Sequence, residues 1–355
     1  MALHELNRRE FLLTSAAALA AGPLAFAKTA PKPVVGIARI RNDGIEAAVE
    51  EAIDLLGGIK RVTRGKDRVL LKPNLVFDAR DATTKPEVVR ALARLMKGAG
   101  KEVSIGEGSA AATGFNVKER EIFRTRKRDI LDAMQQHVFD QLGYTELARA
   151  LRVPLVNLHS GDLVDVEVPG GFVYDTLTIH RSLAEVDLLC SVPMMKTHQL
   201  ATVTLGMKNL VGLFPGTVYQ SVRGHMHDVA SKVEPTAASA VVVDMVRANK
   251  LGLVVVDASM AMEGDGPSSG PLVKMDLVVA GTNPVATDMV AASVMGFAPG
   301  DVPTFDWANR AGLKPTSLDE IEVRGEPIER VRRAFARPRL VAWNDIRPFW
   351  GAREI

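Results

Sequence analysis

Short β-branched or leucine-rich runs alternate with stretches of helical apolar spacing along most of this chain, and that alternation confines it to the α/β class with a mostly parallel sheet flanked by helices. Parallel neighbours need a long crossover, usually a helix, which is why the two periods must take turns. Strands are expected at 34–39, 68–75, 102–106, 154–158, 187–192, 253–257 and 276–280. Helices are expected at 44–56 and 86–97. In the second, Val88, Val89, Leu92, Leu95 and Met96 form one stripe, Pro86 suits the first turn, and Gly98 and Gly100 stop it. Residues 117–152 read as a charged, mostly helical insertion whose basic run is a solvated face. Pro169-Gly170-Gly171 between two alternating runs makes 164–179 a small antiparallel hairpin. After about Arg332 no period is evident. The expected layout is a leader over 1–27, an α/β domain over 28–331 and a C-terminal surface extension over 332–355.

The leader reads as a twin-arginine export signal. Arg8 and Arg9 are followed by Phe11-Leu12, an alanine-rich run to about Ala21, and the small-x-small site Ala25-Phe26-Ala27. Asn7 and Leu13 depart from the commonest pattern, which has Ser or Thr and Lys there. The run is too short and too weakly apolar to span about 30 Å of lipid, and no later window approaches that length. The expected location is the bacterial periplasm, with no transmembrane span in the mature chain.

Lys and Arg number 44 against 42 Asp and Glu, a net charge of +2, which gives no reason to expect nucleic acid or an anionic membrane as partner. The single cysteine, Cys190, excludes an internal disulfide and an intrinsic iron–sulfur cluster held by cysteines. It falls in the apolar run 186–192 and reads as a packing thiol.

The polar residues that interrupt apolar runs are the candidates for chemistry, because open α/β sheets place ligands at strand ends. Lys72 and Asn74, one residue apart in a buried strand, share a face, and Pro73 ends or bulges the strand between them. A lysine at that depth needs an anion, either a ligand or an internal carboxylate. Lys196 and His198 leave the strongest strand together. Lys208 and Asn209 interrupt the helix-like stretch 203–212. Three lysines in apolar settings suggest a pocket for carboxylate or phosphate. His225 and His227, two apart on an extended segment, would face the same way and could ligate a metal, with or without His198. Glu263 and Asp265, in the glycine-rich loop 263–270, could bind a divalent cation or a substrate hydroxyl. Asn283 is a helix N-cap. The segment Ile105-Gly106-Glu107-Gly108-Ser109 lacks the third spaced glycine of a phosphate loop and reads as a close-approach turn.

In order, K-P-N-L-V, T-T-K-P-E-V-V, I-G-E-G, M-M-K-T-H, M-K-N-L-V-G, H-M-H, M-E-G-D-G-P and N-P-V-A-T-D resemble the domain of unknown function 362 family, over about residues 34–325. Some members carry a ferredoxin-like module, whose cysteines this chain lacks. The resemblance implies the fold and the site positions rather than a reaction.

Two readings of function stand. One is an exported enzyme of redox or isomerisation type acting on a small anionic carboxylate, with a redox partner protein in the first case. Lys196 and His198 would be catalytic, and Lys72, Asn74, Lys208 and Asn209 would bind the anion. The cofactor is unknown, with a divalent metal at His225, His227, Glu263 and Asp265 as the candidate. The other reading is a non-catalytic periplasmic carrier for an anionic or metal-bound ligand.

Overall fold

The computed structural model of the protein describes residues 31–355 apart from 43, 120 and 235. The arginine pair and cleavage site of the expected export signal lie outside the described residues.

Along the chain, β1 (Val34–Arg39), β2 (Arg68–Pro73) and β3 (Glu102–Glu107) come first, then the short β4 (Val117–Lys118) and β5 (Glu121–Arg124). They are followed by β6 (Leu155–Asn157), β7 (Leu163–Glu167), β8 (Thr176–His180), β9 (Leu188–Val192), β10 (Met194–His198) and β11 (Thr202–Thr204). The last four are β12 (Leu251–Met262), β13 (Leu272–Gly281), β14 (Glu322–Gly325) and β15 (Trp350–Glu354). A ten-stranded sheet runs β14-β1-β13-β12-β9-β2-β3-β6, with β10 against β12 and β11 against β10. Six of its strand pairs are parallel; β13 is antiparallel to β1 and β12, and β11 to β10. The fold is α/β.

The middle strands are buried on both faces, so both must be covered by apolar layers. Val69, Leu71, Leu188 and Cys190 join one cluster with Val49 and Ile53 of the helix Ile45–Leu55 and with Val88, Leu92 and Met96 of the helix Pro86–Gly98. The alternate residues Leu70 and Leu189 join the other, with the helices Ala237–Ala248 and Pro284–Val294. Each buried leucine contributes about 1.5–3 kcal/mol relative to exposure, so this alternation fixes which face each strand residue shows.

Four expectations are revised. The stretch 117–152 opens with the β4–β5 hairpin before its two helices, Arg128–Gln141 and Tyr144–Leu151. The stretch 203–212 is not one helix: β11 gives way to a 3₁₀ turn, Lys208–Leu213. The segment around His225 and His227 is helical over Gly224–Ala230, not extended. The C-terminal extension adds β15 in parallel beside β5. The hairpin expected at 164–179 forms as β7 and β8. Cys190 is fully buried, and burial pushes its thiol well up.

Candidate functional site

A cavity of about 70 Å³ lies at the carboxyl ends of β2 and β3 and is closed by β10, β11 and the 3₁₀ turn. One water needs about 10–15 Å³ of such space, so the cavity suits a ligand of a few heavy atoms. Four cations line it, Lys72, Lys196, Lys208 and Arg223, and Glu107 is the one acid in the lining.

Glu107 is spoken for. Lys72 Nζ donates to its Oε2 at 2.8 Å, to Asn209 Oδ1 at 2.9 Å and to the Pro73 carbonyl at 2.8 Å. The backbone N–H groups of Leu75 and Gly108 also donate to the Glu107 carboxylate. Side-chain exposures of 1% and 2% make this a buried pair. Lys72 therefore answers to an internal carboxylate rather than to an empty pocket. Gly212 is required beside it, because a Cβ there would overlap Glu107 Oε1 and lie 2.7 Å from Lys72 Nζ.

The other cations have no carboxylate. Lys196 is fully buried and donates at 2.6 Å to the Ala82 carbonyl. Arg223, 1% exposed, donates to the carbonyls of Gly108, Ser109, Val211 and Gly212. Lys208, the least buried of the three cavity lysines, has no hydrogen bond or ion pair among the described residues. Its backbone is placed from a distance: Asp288 Oδ1 and Oδ2 accept from the N–H groups of Gly206 and Met207 at 2.7 and 2.8 Å. Burial pushes the Asp288 carboxyl up to about 7. Asn283 caps its helix as expected, accepting from Ala286 N at 2.9 Å.

Burial first, then Lys208, depress Lys196 to about 7; burial, then Arg223 and Lys72, depress Lys208 to about 8. The unfolded chain holds the Lys196 proton up to its ordinary 10.5, whereas the folded protein releases it above about 7. Between those values the unfolded state binds more protons, so stability rises with pH. Urea unfolding between about pH 8 and pH 9, above the Asp288 titration and below the ordinary thiol value of 9.0, is expected to show that rise, with Lys208 contributing above about 8, and Lys196→Met should reduce it. A flat or falling profile would contradict the burial of an unpaired lysine.

His198 is 8% exposed, and its Nδ1 accepts from the Leu200 N–H at 3.0 Å. Because a backbone N–H only donates, the hydrogen of the neutral ring sits on Nε2. Burial and then Lys208 hold the ring well below the ordinary histidine value. His198 thus presents a neutral ring at the pocket, with its Nε2–H free to donate.

The proposed metal ligands do not assemble. Glu263 Oε2 accepts from Ala336 N and Asp265 Oδ1 from Arg339 N, so both carboxylates tether the C-terminal extension. His225 is exposed, while His227 is buried and stacks on Trp343 with ring centroids 4.5 Å apart. Burial, then Lys208, push His227 down to about 3. Two residues along a helix turn about 200°, which separates side chains that an extended segment would align. Among the described residues no three His, Cys, Asp or Glu side chains form a group that could hold a metal ion.

The family model described as Domain of unknown function (DUF362) matches residues 69–293, more than half of the chain. The chain belongs to the DUF362 family. Every cavity-lining residue named above falls within that DUF362 match. The DUF362 chain is 27% identical over 294 residues to a thylakoid-associated protein of Synechocystis sp., covering 81% of this chain and 82% of that one. Among solved structures it is similar to the lactate racemase apoprotein of Thermoanaerobacterium thermosaccharolyticum, at 15% identity and a TM-score of 0.43, covering 75% of this chain and 57% of that one. A protein of Thermotoga maritima gives 14% identity and a TM-score of 0.39, covering 68% and 55%. The DUF362 chain thus spans little more than half the length of either solved structure. No helix among its described residues is long and apolar enough to cross a membrane.

Sequence reasoning missed Glu107 and Arg223. Glu107 was visible only as the acid inside I-G-E-G, and Arg223 as the residue before G-H-M-H.

Proposed function

We propose that this protein is an envelope enzyme that binds a small carboxylate in the cavity and transfers a proton on it, an isomerisation in which Lys196 is the proton-transfer group. The observation that carries this reading is the charge imbalance: four cations around one acid that Lys72 already engages. Buried charge without a counter-ion is costly, and a bound anion removes that cost. Removing a proton beside a carboxylate leaves the electron pair on the carboxylate oxygens, where Lys208 and the Nε2–H of His198 can meet it. Lys196 at about 7 is suited to take that proton near neutrality; return from Lys196 to the same face exchanges the proton with solvent, and delivery from water to the other face of the planar carbanion inverts the carbon.

The test is exchange of solvent deuterium into the α-position of small carboxylates, followed by proton NMR. Exchange is expected with the wild type and not with Lys196→Met. Carboxylates that bind without exchanging would overturn the enzyme and leave a carrier.

Export rests on the Arg8-Arg9 pattern. Changing both arginines to lysine is expected to leave the precursor in the cytoplasm on fractionation. Export that continues, and stops only when the general secretory route is blocked, would refute this location.

A further inference from the structure

We infer that the anion this cavity takes carries a hydroxyl group close to its charge. The inference rests on the anion-binding reading above and narrows it to a ligand class. Two hydrogen bonds that run only one way orient the buried amides. Lys72 Nζ only donates, so the Asn209 atom 2.9 Å away is Oδ1; the Lys72 carbonyl only accepts, so the atom 3.1 Å away is Nδ2. The Asn74 atom 3.2 Å from Asn209 Oδ1 is then Nδ2, which leaves Asn74 Oδ1 as an acceptor. Asn74 lines the cavity at 8% exposure, and its Oδ1 is buried without a partner. Thr204, across the β10–β11 pair from Lys196, also lines the cavity with an unpartnered buried hydroxyl.

Lys196, Lys208 and His198 all offer donors. A plain carboxylate brings only acceptors, so it would satisfy them and leave Asn74 Oδ1 unmet, at the cost of a buried unpaired group. A ligand with its own donor meets both needs. An ammonium group would be repelled by Lys196, Lys208 and Arg223, whereas a hydroxyl would not. Charge, acceptor and volume together select a small hydroxy acid.

Calorimetric titration with size-matched pairs tests this: glycolate against propionate, and 2-hydroxybutyrate against 2-methylbutyrate. The hydroxy acid is expected to bind at least about fivefold more tightly in each pair, as one added neutral hydrogen bond allows. Asn74→Leu should abolish that preference. Equal affinities within both pairs of the wild type would overturn the inference while leaving anion binding intact. A preference that survives in Asn74→Leu would overturn the role of Asn74. If none of the four acids binds, the anion reading itself fails and takes this inference with it.

Discussion

Lys72→Met is expected to destabilise the fold by about 3–5 kcal/mol, the usual penalty for removing one partner of a buried ion pair. The change leaves the Glu107 carboxylate, 2% exposed, with no cation donating to it, and takes a donor from Asn209 Oδ1. Neutralising the acid as well, in Lys72→Met with Glu107→Gln, should recover much of the loss, because what hurts is the uncompensated charge. Urea denaturation of the two variants measures it. A single variant within about 1 kcal/mol of wild type would mean that Glu107 finds another cation, and the charge count at the cavity would have to be redrawn.

Lys196→Met and Lys208→Met should behave in the opposite way. Neither lysine has a carboxylate partner, and each lowers the pKa of its neighbours by like-charge repulsion. Their removal is expected to leave the melting temperature unchanged or to raise it. The same variants should lose the stabilisation conferred by a bound small acid, which grows with ligand concentration and reaches about 2.7 kcal/mol at a hundredfold excess over Kd. Melting curves with and without glycolate would show both effects. A large drop in the ligand-free variants would place these lysines among the supports of the fold instead of at a binding site.

The contrast between Lys72 and its two companions marks where sequence reasoning stops. That Lys72 and Asn74 share a face follows from strand periodicity, and the same holds for Lys196 and His198 on β10. The Lys208-Asn209 pair stood out because it interrupts an apolar run. What Lys72 meets depends on β3 lying beside β2 in a register that sets Leu71 against Ile105, and so brings Glu107 within reach. Strand order is a property of the whole chain, and nothing local to I-G-E-G encodes it. His225 and His227 failed for a different reason: a helix replaced the assumed extended segment, and a spacing of two then points opposite ways. Glu263 and Asp265 are acids in a glycine-rich loop, as expected, but their partners are backbone N–H groups more than 70 residues further on. Those tethers decide their role, and they join parts of the chain that local patterns treat separately.

The central claim, that the surplus cations of this cavity await a small acid, is met most directly by calorimetric titration of glycolate into the wild type and into the Lys196→Met/Lys208→Met double variant. The titration belongs at a pH between the two lysine values, about 7 and about 8, in buffers of different ionisation enthalpy. A bound anion favours the charged lysines, so the wild type is predicted to bind glycolate with net uptake of protons from the buffer, and the double variant to give no binding heat. Equal binding by both proteins, or no binding by the wild type, would contradict the account.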